Sequence, residues 1–246
     1  MAKLRKLIRT SVLTAKKALK LFVVQIDRET VARTYLIGNG IEIGALHSPL
    51  KVSDRAHVTY VDRMTVPDLL RQYPEMGSEQ LVPVDIVADG ERLEPLADAD
   101  QDFVIANHFV EHCQNPLLAV ENIFRVLKPG GVLYLALPDK RFTFDAARPV
   151  TTIDHLQRDY REGGQCSRQT HFEEWVRWVD GIADGQQAAE RVSMLKEQDY
   201  SIHYHVWSQK EMIELVLFMQ GLLPFDIELI LKSNEEVIFV LRKHEK

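Results

Sequence analysis

Histidine is the side chain whose charge changes near neutrality, and five of the nine histidines of this 246-residue chain stand where they could share one task. His155, His171, His203 and His205 fall within residues 140–205, and His108 leaves the end of a short apolar run. A hydroxyl attacks more readily when a base takes its proton, a role open to His108, His171, His203 or His205. The same segment and its approach hold Asp139, Lys140, Arg141, Arg148 and Trp175. Clustered basic groups of this kind can hold a phosphate or a sugar acid through charge-assisted hydrogen bonds. Asp139, Lys140, Arg141, Arg148, His155 and Trp175, with His47, are the candidate substrate-side residues. His108-Phe-Val-Glu111-His112 also spells H-x-x-E-H, a spacing used by zinc peptidases. No metal ligand set is assigned from it, because the crossover around it is wrong for a peptidase. A divalent ion held by some of these groups to orient a hydroxyl stays open.

The elements that must position these groups are legible in the periodicity. Residues 102–106 read as a buried strand, Asn107 and His108 as a polar switch, and a helix follows until Pro129 and two glycines stop it. Residues 132–137 then form the next strand, which is the pattern of a parallel βαβ crossover. Ligands in such sheets bind at the carboxyl ends of the strands. Residues 41–44, after a Gly38-Asn-Gly40 turn, read as the first strand, and residues 58–61, closed by Asp62, as the second. A carboxylate at that position can accept hydrogen bonds from both hydroxyls of a ribose. His57 lies at the opposite end and reads as structural. Residues 82–88 form the expected third strand, with Asp85 inside it and Asp89-Gly90 after it. A helix over 209–221 and antiparallel strands over 225–231 and 237–241 close the chain.

The wording of residues 103–139 resembles the class I S-adenosylmethionine-dependent methyltransferases: Phe103-Val-Ile-Ala-Asn-His-Phe-Val-Glu111-His112, then Asn115-Pro116, then Phe124-Arg-Val-Leu-Lys-Pro-Gly-Gly131. The resemblance spans roughly residues 38–242, interrupted between 140 and 202. It implies a doubly wound, mostly parallel seven-stranded Rossmann-like α/β fold with an N-terminal helix and an inserted helical cap. It also implies S-adenosyl-L-methionine as cofactor. In that family the acid and glycine of the first strand hold the methionine portion, here Glu42, Gly44 and Ala45, and an acid after the third strand takes the adenine amino group, here Asp89. Arg63, Gly90, Asn107 and His108 complete the expected cofactor set with Asp62. The first loop has fewer glycines than usual. It is similar to an "EIGAxxxPL" version found in methyltransferases linked to glycosyltransferases of bacterial surface-polysaccharide pathways, and residues 138–149 look like a segment of the same group. Methylation of a sugar hydroxyl in a polysaccharide or glycoconjugate is the expected reaction. A binding module that has lost catalysis and an enzyme for a small or lipid-linked acceptor are the alternatives. At least one cap histidine is expected to face His108 across the acceptor pocket.

Hydrophobic residues make up 46% of the chain, enough for a full core in one large domain. The expected division is an extension over 1–37 and a domain over 38–246, with the cap at about 140–205. Cys113 and Cys166 lack the spacing of a redox pair and cannot build a disulfide framework, which favours a reducing, cytoplasmic location. No apolar run approaches the roughly 20 residues of a membrane span. The net charge is −6, yet seven basic residues precede Asp27 and leave about −13 on the rest, which argues against nucleic acid as a partner. Within residues 1–24, Leu4, Leu7, Ile8, Val12, Ala15, Leu19 and Phe22 recur at helical spacing opposite most of the basic groups. That face fits an anionic membrane surface or a partner protein, and a homodimer stays open.

Overall fold

The computed structural model describes residues 26–77 and 80–245. The basic amphipathic segment over residues 1–24 lies outside them.

Seven strands form one mixed sheet: β1 (Gly38–Ile43), β2 (Ala56–Asp62), β3 (Ile86–Val87), β4 (Gln101–Asn107), β5 (Leu127–Pro138), β6 (Phe225–Ser233) and β7 (Glu236–Lys243). Their order is β3-β2-β1-β4-β5-β7-β6. The first five run parallel, and the β6–β7 hairpin joins antiparallel through β7 on β5. Strand order reverses between β1 and β4, so the crevice beyond their carboxyl ends is where such a sheet takes a ligand.

Phe103 to Ala106 are wholly buried, as expected of a central parallel strand covered on both faces. On one face, helices α3 (Pro116–Val126) and α7 (Gln209–Gln220) pack Val120, Ile123, Leu215 and Met219 against Val104, Leu133 and Leu135. On the other, α1 (Arg28–Tyr35) brings Val31, Ala32 and Leu36 against Phe103, Ile105 and Tyr134. Packing on this face therefore begins before residue 38. A short helix α2 (Val66–Gln72) follows β2. Among the described residues no helix is long and apolar enough to cross a membrane.

Two local expectations need correction. The third strand shrinks from residues 82–88 to Ile86–Val87, at the sheet edge. Pro83 has no N–H to give the ladder, and Asp85 precedes the strand, where its carboxylate accepts from the Tyr60 N–H at 2.8 Å. The helix after His108 does not begin at once. Val110–His112 is a single 3₁₀ turn, and α3 starts at Pro116, capped by Asn115 accepting from the Leu118 N–H. Proline suits a first helical position but not an interior one, so Asn115-Pro116 sets the start.

The cap leaves and returns through one neck. Asp139 and Trp207 form a parallel bridge, and the Lys140 N–H donates to the Trp207 carbonyl at 2.9 Å. Between them run α4 (Ile153–Glu162), α5 (Arg168–Trp178) and α6 (Gly185–Glu197). The cap has its own core of Phe172, Val176, Val192, Leu195, Ile202 and Tyr204. It is fastened to the sheet domain where Tyr204 N–H donates to the Glu111 carbonyl at 2.8 Å and Gln72 to the Gln198 carbonyl at 2.8 Å.

Candidate active site

A cavity of about 510 Å³ opens at the carboxyl ends of β1, β2 and β4 and is roofed by the cap. Gly44, Asp62, Arg63, Asp89, Gly90 and His108 line it, six of the nine residues expected to hold the cofactor. Gly44 has φ of +67°, and a Cβ there would point into open space with no atom within 4 Å. Only glycine takes this turn without strain and leaves the backbone bare to a ligand. Gly90 is needed for a different reason: a Cβ would sit 2.7 Å from the Phe109 ring.

Asp62 ends β2 with its carboxylate turned to the cavity and accepts from the Arg63 N–H at 2.7 Å. Burial raises its pKa, and the Arg63 and Met64 amides oppose that. Arg63 reaches up to the cap, donating to Asp199 Oδ2 at 3.0 Å and to the Tyr73 hydroxyl at 3.0 Å. Asp89 caps its own turn by accepting from the Glu91 N–H and stays exposed. Paired acceptors on Asp62, an exposed acid at Asp89 and the open Gly44 turn fit a nucleoside with an amino-acid tail. S-adenosylmethionine is such a molecule.

Glu42, Ala45 and Asn107 are not among the lining residues. Glu42 is fully buried beneath the loop, where both carboxylate oxygens accept from the Leu50 N–H at 3.0 and 3.1 Å and Asn107 donates at 3.3 Å. Burial pushes its pKa up to about 7, against these hydrogen bonds. Glu42 thus shapes the Gly44 loop from below, and Asn107 steadies it.

His108 leaves β4 with φ of +48°, in the left-handed region. Its Nε2 lies 2.8 Å from Glu236 Oε2 at the start of β7, and its Nδ1 3.8 Å from Glu111 Oε1. Burial lowers the His108 pKa, but the Glu236 hydrogen bond and the two carboxylate charges outweigh it, so the net shift is upward. A ring bonded through Nε2 to a carboxylate keeps its proton there and leaves Nδ1 able to accept. The positive φ aims this ring at the cavity and is strained for a residue other than glycine or asparagine.

The expectation that a cap histidine faces His108 across the pocket is not met. The second histidine lining the cavity is His112, to which sequence reasoning gave no site role. Its Nδ1 lies 3.0 Å from both the Ile202 carbonyl and the Ser201 hydroxyl, and burial drives its pKa down to about 3. His203 bonds to Asp145 at 2.6 Å. His155, His171 and His205 gather on Asp159. Of the four histidines expected as a base, His108 is the one that lines the cavity, while His171, His203 and His205 turn into the cap interior.

The remaining substrate-side candidates also lie away from it. Asp139 is buried and gripped by Arg141 at 2.6 and 2.9 Å. Burial works to raise its pKa, but these bonds and Lys232 hold it below the usual range. Lys140 donates to the Ala146 carbonyl, Arg141 is spent on Asp139, and His47 is exposed beyond the loop. Arg148 is buried, bonding Asp145 at 2.9 Å and the His203 carbonyl at 2.7 Å, with Trp175 over its guanidinium at 6.0 Å. Apart from His47, these residues are engaged in bonds within the cap and its neck. The residues sequence reasoning missed are Asp199, Tyr200, Ser201 and Tyr204, which form the roof, and Glu236, which orients His108. They carry no local pattern, and only the chain's return brings them to the strand ends.

Among the described residues, two groups of side chains are gathered closely enough to hold a metal ion: His155, Asp159, His171 and His205 within the cap, and Glu111, His112 and His203 beside the cavity. In each, one donor atom per residue lies within 4.8 Å of all the others.

Residues 37–135, from β1 into β5, match the model of a family described as methyltransferase domain. Over those residues the chain matches a methyltransferase domain, and S-adenosylmethionine is the cofactor of such a domain. Among solved structures, the chain is similar to a SAM-dependent methyltransferase of Methanosarcina mazei at 17% identity, covering 90% of this chain and 100% of that one with a TM-score of 0.48. It is similar to a SAM-dependent methyltransferase of Thermotoga maritima at 15% identity, covering 92% and 86% with a TM-score of 0.43. A third is the CurJ carbon methyltransferase at 12% identity, covering 85% of this chain with a TM-score of 0.45, and there the chain spans only 49% of the other's length. Identities this low fix neither acceptor nor chemistry. No curated protein matches the chain.

Proposed function

We propose that the protein methylates the hydroxyl of a sugar or glycoconjugate, with His108 as the base. The observation that carries this reading is the His108–Glu236 pair: a histidine half open to the cavity, its Nε2 fixed 2.8 Å from a carboxylate and its Nδ1 free to accept. The cofactor supplies an electrophilic methyl group on a sulfonium. The protein's own part is to hold the acceptor oxygen in line with that methyl, exclude water beneath the cap, and take the hydroxyl proton on His108 Nδ1. Glu236 offsets the charge the ring then gains.

The roof supports a polyhydroxy acceptor. Ser201, Tyr200 and Tyr204 line a cavity whose base is partly apolar, a mixture of polar and aromatic surface that suits a sugar. The acceptor pathway, a surface polysaccharide or related glycoconjugate, rests on the sequence resemblance of residues 42–50 and 138–149. The basic segment before Asp27 would bring the enzyme to an anionic membrane face where lipid-linked sugars are built, and about 1 kcal/mol per surface lysine makes that contact worthwhile.

The test is methyl transfer from isotope-labelled cofactor to a panel of nucleotide sugars, glycans and small phenols, with the product's methyl located by mass spectrometry and NMR. An O-methyl sugar is the expected product. Labelling of a phenol, a nitrogen or a carbon instead would overturn the acceptor, and cofactor binding without transfer to any class would favour a binding module.

A further inference from the structure

We infer that His155, Asp159, His171 and His205 form a closed, four-ligand site for a divalent transition ion of the zinc type, which clasps the cap into one unit. His155 and Asp159 stand one turn apart on α4 and so share a face. His171 comes from α5 and His205 from the chain's return to α7. Three separate stretches thus meet at one point.

The donor atoms are already gathered. His155 Nε2 lies 3.1 Å from His171 Nε2 and 3.0 Å from Asp159 Oδ2. Asp159 Oδ2 lies 3.9 Å from His171 Nε2 and 4.0 Å from His205 Nε2. A tetrahedral ion with ligands at about 2.0–2.1 Å needs its donors about 3.4 Å apart, so the set closes on an ion with sub-ångström shifts.

Hydrogen bonding alone leaves this cluster unsatisfied. His205 is fully buried, and neither ring nitrogen has a hydrogen-bond partner. Asp159 Oδ2, also buried, has His155 Nε2 at 3.0 Å but no well-aligned hydrogen bond. Two imidazole Nε2 atoms at 3.1 Å can share only one proton. A cation at the centre meets all four lone pairs at once, which is why buried orphans of this kind point to an ion.

The surroundings orient the ligands as a metal requires. Asp159 Oδ1 accepts from the Ser167 hydroxyl, which leaves Oδ2 for the ion. The Asn115 side chain donates to the Asp159 carbonyl at 3.0 Å, tying α4 to the N-terminus of α3. The Trp207 ring stacks on His205 with 16° between planes. One contact must give way: Arg158 lies 3.0 Å from His155 Nδ1, and an ion on Nε2 puts the ring proton on Nδ1. Arg158 is at the exposed surface and free to turn.

Three imidazoles and one carboxylate suit zinc by donor type, and four protein ligands leave no position for substrate, so the ion's role is structural. Tyr204, next to His205, lines the cavity, so the clasp also sets the roof.

The full chain, with any affinity tag removed, should be stripped with a chelator and titrated with Zn²⁺ and with Co²⁺. One equivalent should bind, raise the melting temperature, and with Co²⁺ give the intense visible bands of a tetrahedral centre. His155→Ala, at the least buried ligand, and Asp159→Asn should weaken Zn²⁺ at least about 100-fold and abolish the thermal shift, with the circular dichroism of the stripped wild type retained. His112→Ala should leave binding unchanged. Failure of the wild type to bind Zn²⁺ or Co²⁺ would overturn the proposal, as would a His155→Ala protein that binds normally or loss of binding in His112→Ala. These readouts do not depend on the acceptor, so they stand apart from the proposed reaction.

Discussion

His108 and Glu236 stand 128 residues apart in sequence and 2.8 Å apart in space, one at the end of β4 and the other at the start of β7. Arg28, from α1, comes within 3.6 Å of the same carboxylate. The end of the chain thus supplies the group that orients a residue in its middle.

Replacing His108 should lower turnover by roughly 100- to 10,000-fold with cofactor affinity preserved. His108→Asn is the better variant, since asparagine tolerates the left-handed backbone that His108 occupies. The base must be neutral to accept, so activity should rise as pH passes upward through the His108 pKa, which Glu236 holds above its ordinary value. Glu236→Gln should move that limb to lower pH. A limb that stays put in Glu236→Gln would sever the pair from catalysis.

Asp62→Ala should weaken S-adenosylmethionine by about 1–3 kcal/mol through lost charge-assisted hydrogen bonds. Titration calorimetry reads this directly, and an unchanged affinity would remove Asp62 from the site. Asn107→Ala should cost less, because Asn107 acts on the loop through Glu42.

Glu42 gives a pH signature in stability. Its pKa is about 7 in the fold against an ordinary 4.5, so the folded chain holds a proton that the unfolded chain has released between those values. Stability should therefore fall as pH rises from about 4.5 to 7, by up to about 3 kcal/mol if the whole shift is expressed. Denaturant unfolding of the cofactor-free protein at several pH values should show that slope, and Glu42→Gln should flatten it.

Arg148→Ala should cost about 3–5 kcal/mol of cap stability, because it removes a buried partner from Asp145 and two carbonyl acceptors at His203 and Tyr204. Proteolysis should then cut within residues 140–206 before the sheet domain. Arg148→Lys should rescue little, since a single ammonium cannot reproduce the fork.

The order of apolar runs made the sheet and its ligand-binding edge legible, apart from the shortened third strand. Runs such as Val104–Ala106 and Leu133–Leu137 read as covered strands, whereas the helix between them is confined by the fold to Pro116–Val126 and the glycines after Pro129 fall within β5. Gly44, Asp62, Asp89 and His108 were expected at the cavity and line it, because each stands at or just past the carboxyl end of a strand, where a one-dimensional pattern fixes position in space. The partners of the polar cap residues, by contrast, become visible only in the folded chain. His171, His203 and His205 look in sequence like a reactive cluster, yet their partners, Asp159 and Asp145, lie 12 to 58 residues away along a chain with no periodic signal. Glu42 was read as a ligand-binding acid, and burial beneath Leu50 makes it a loop support instead. Contacts of this kind depend on loop closure and on which charges burial forces together, and neither is written in the spacing of the residues that make them.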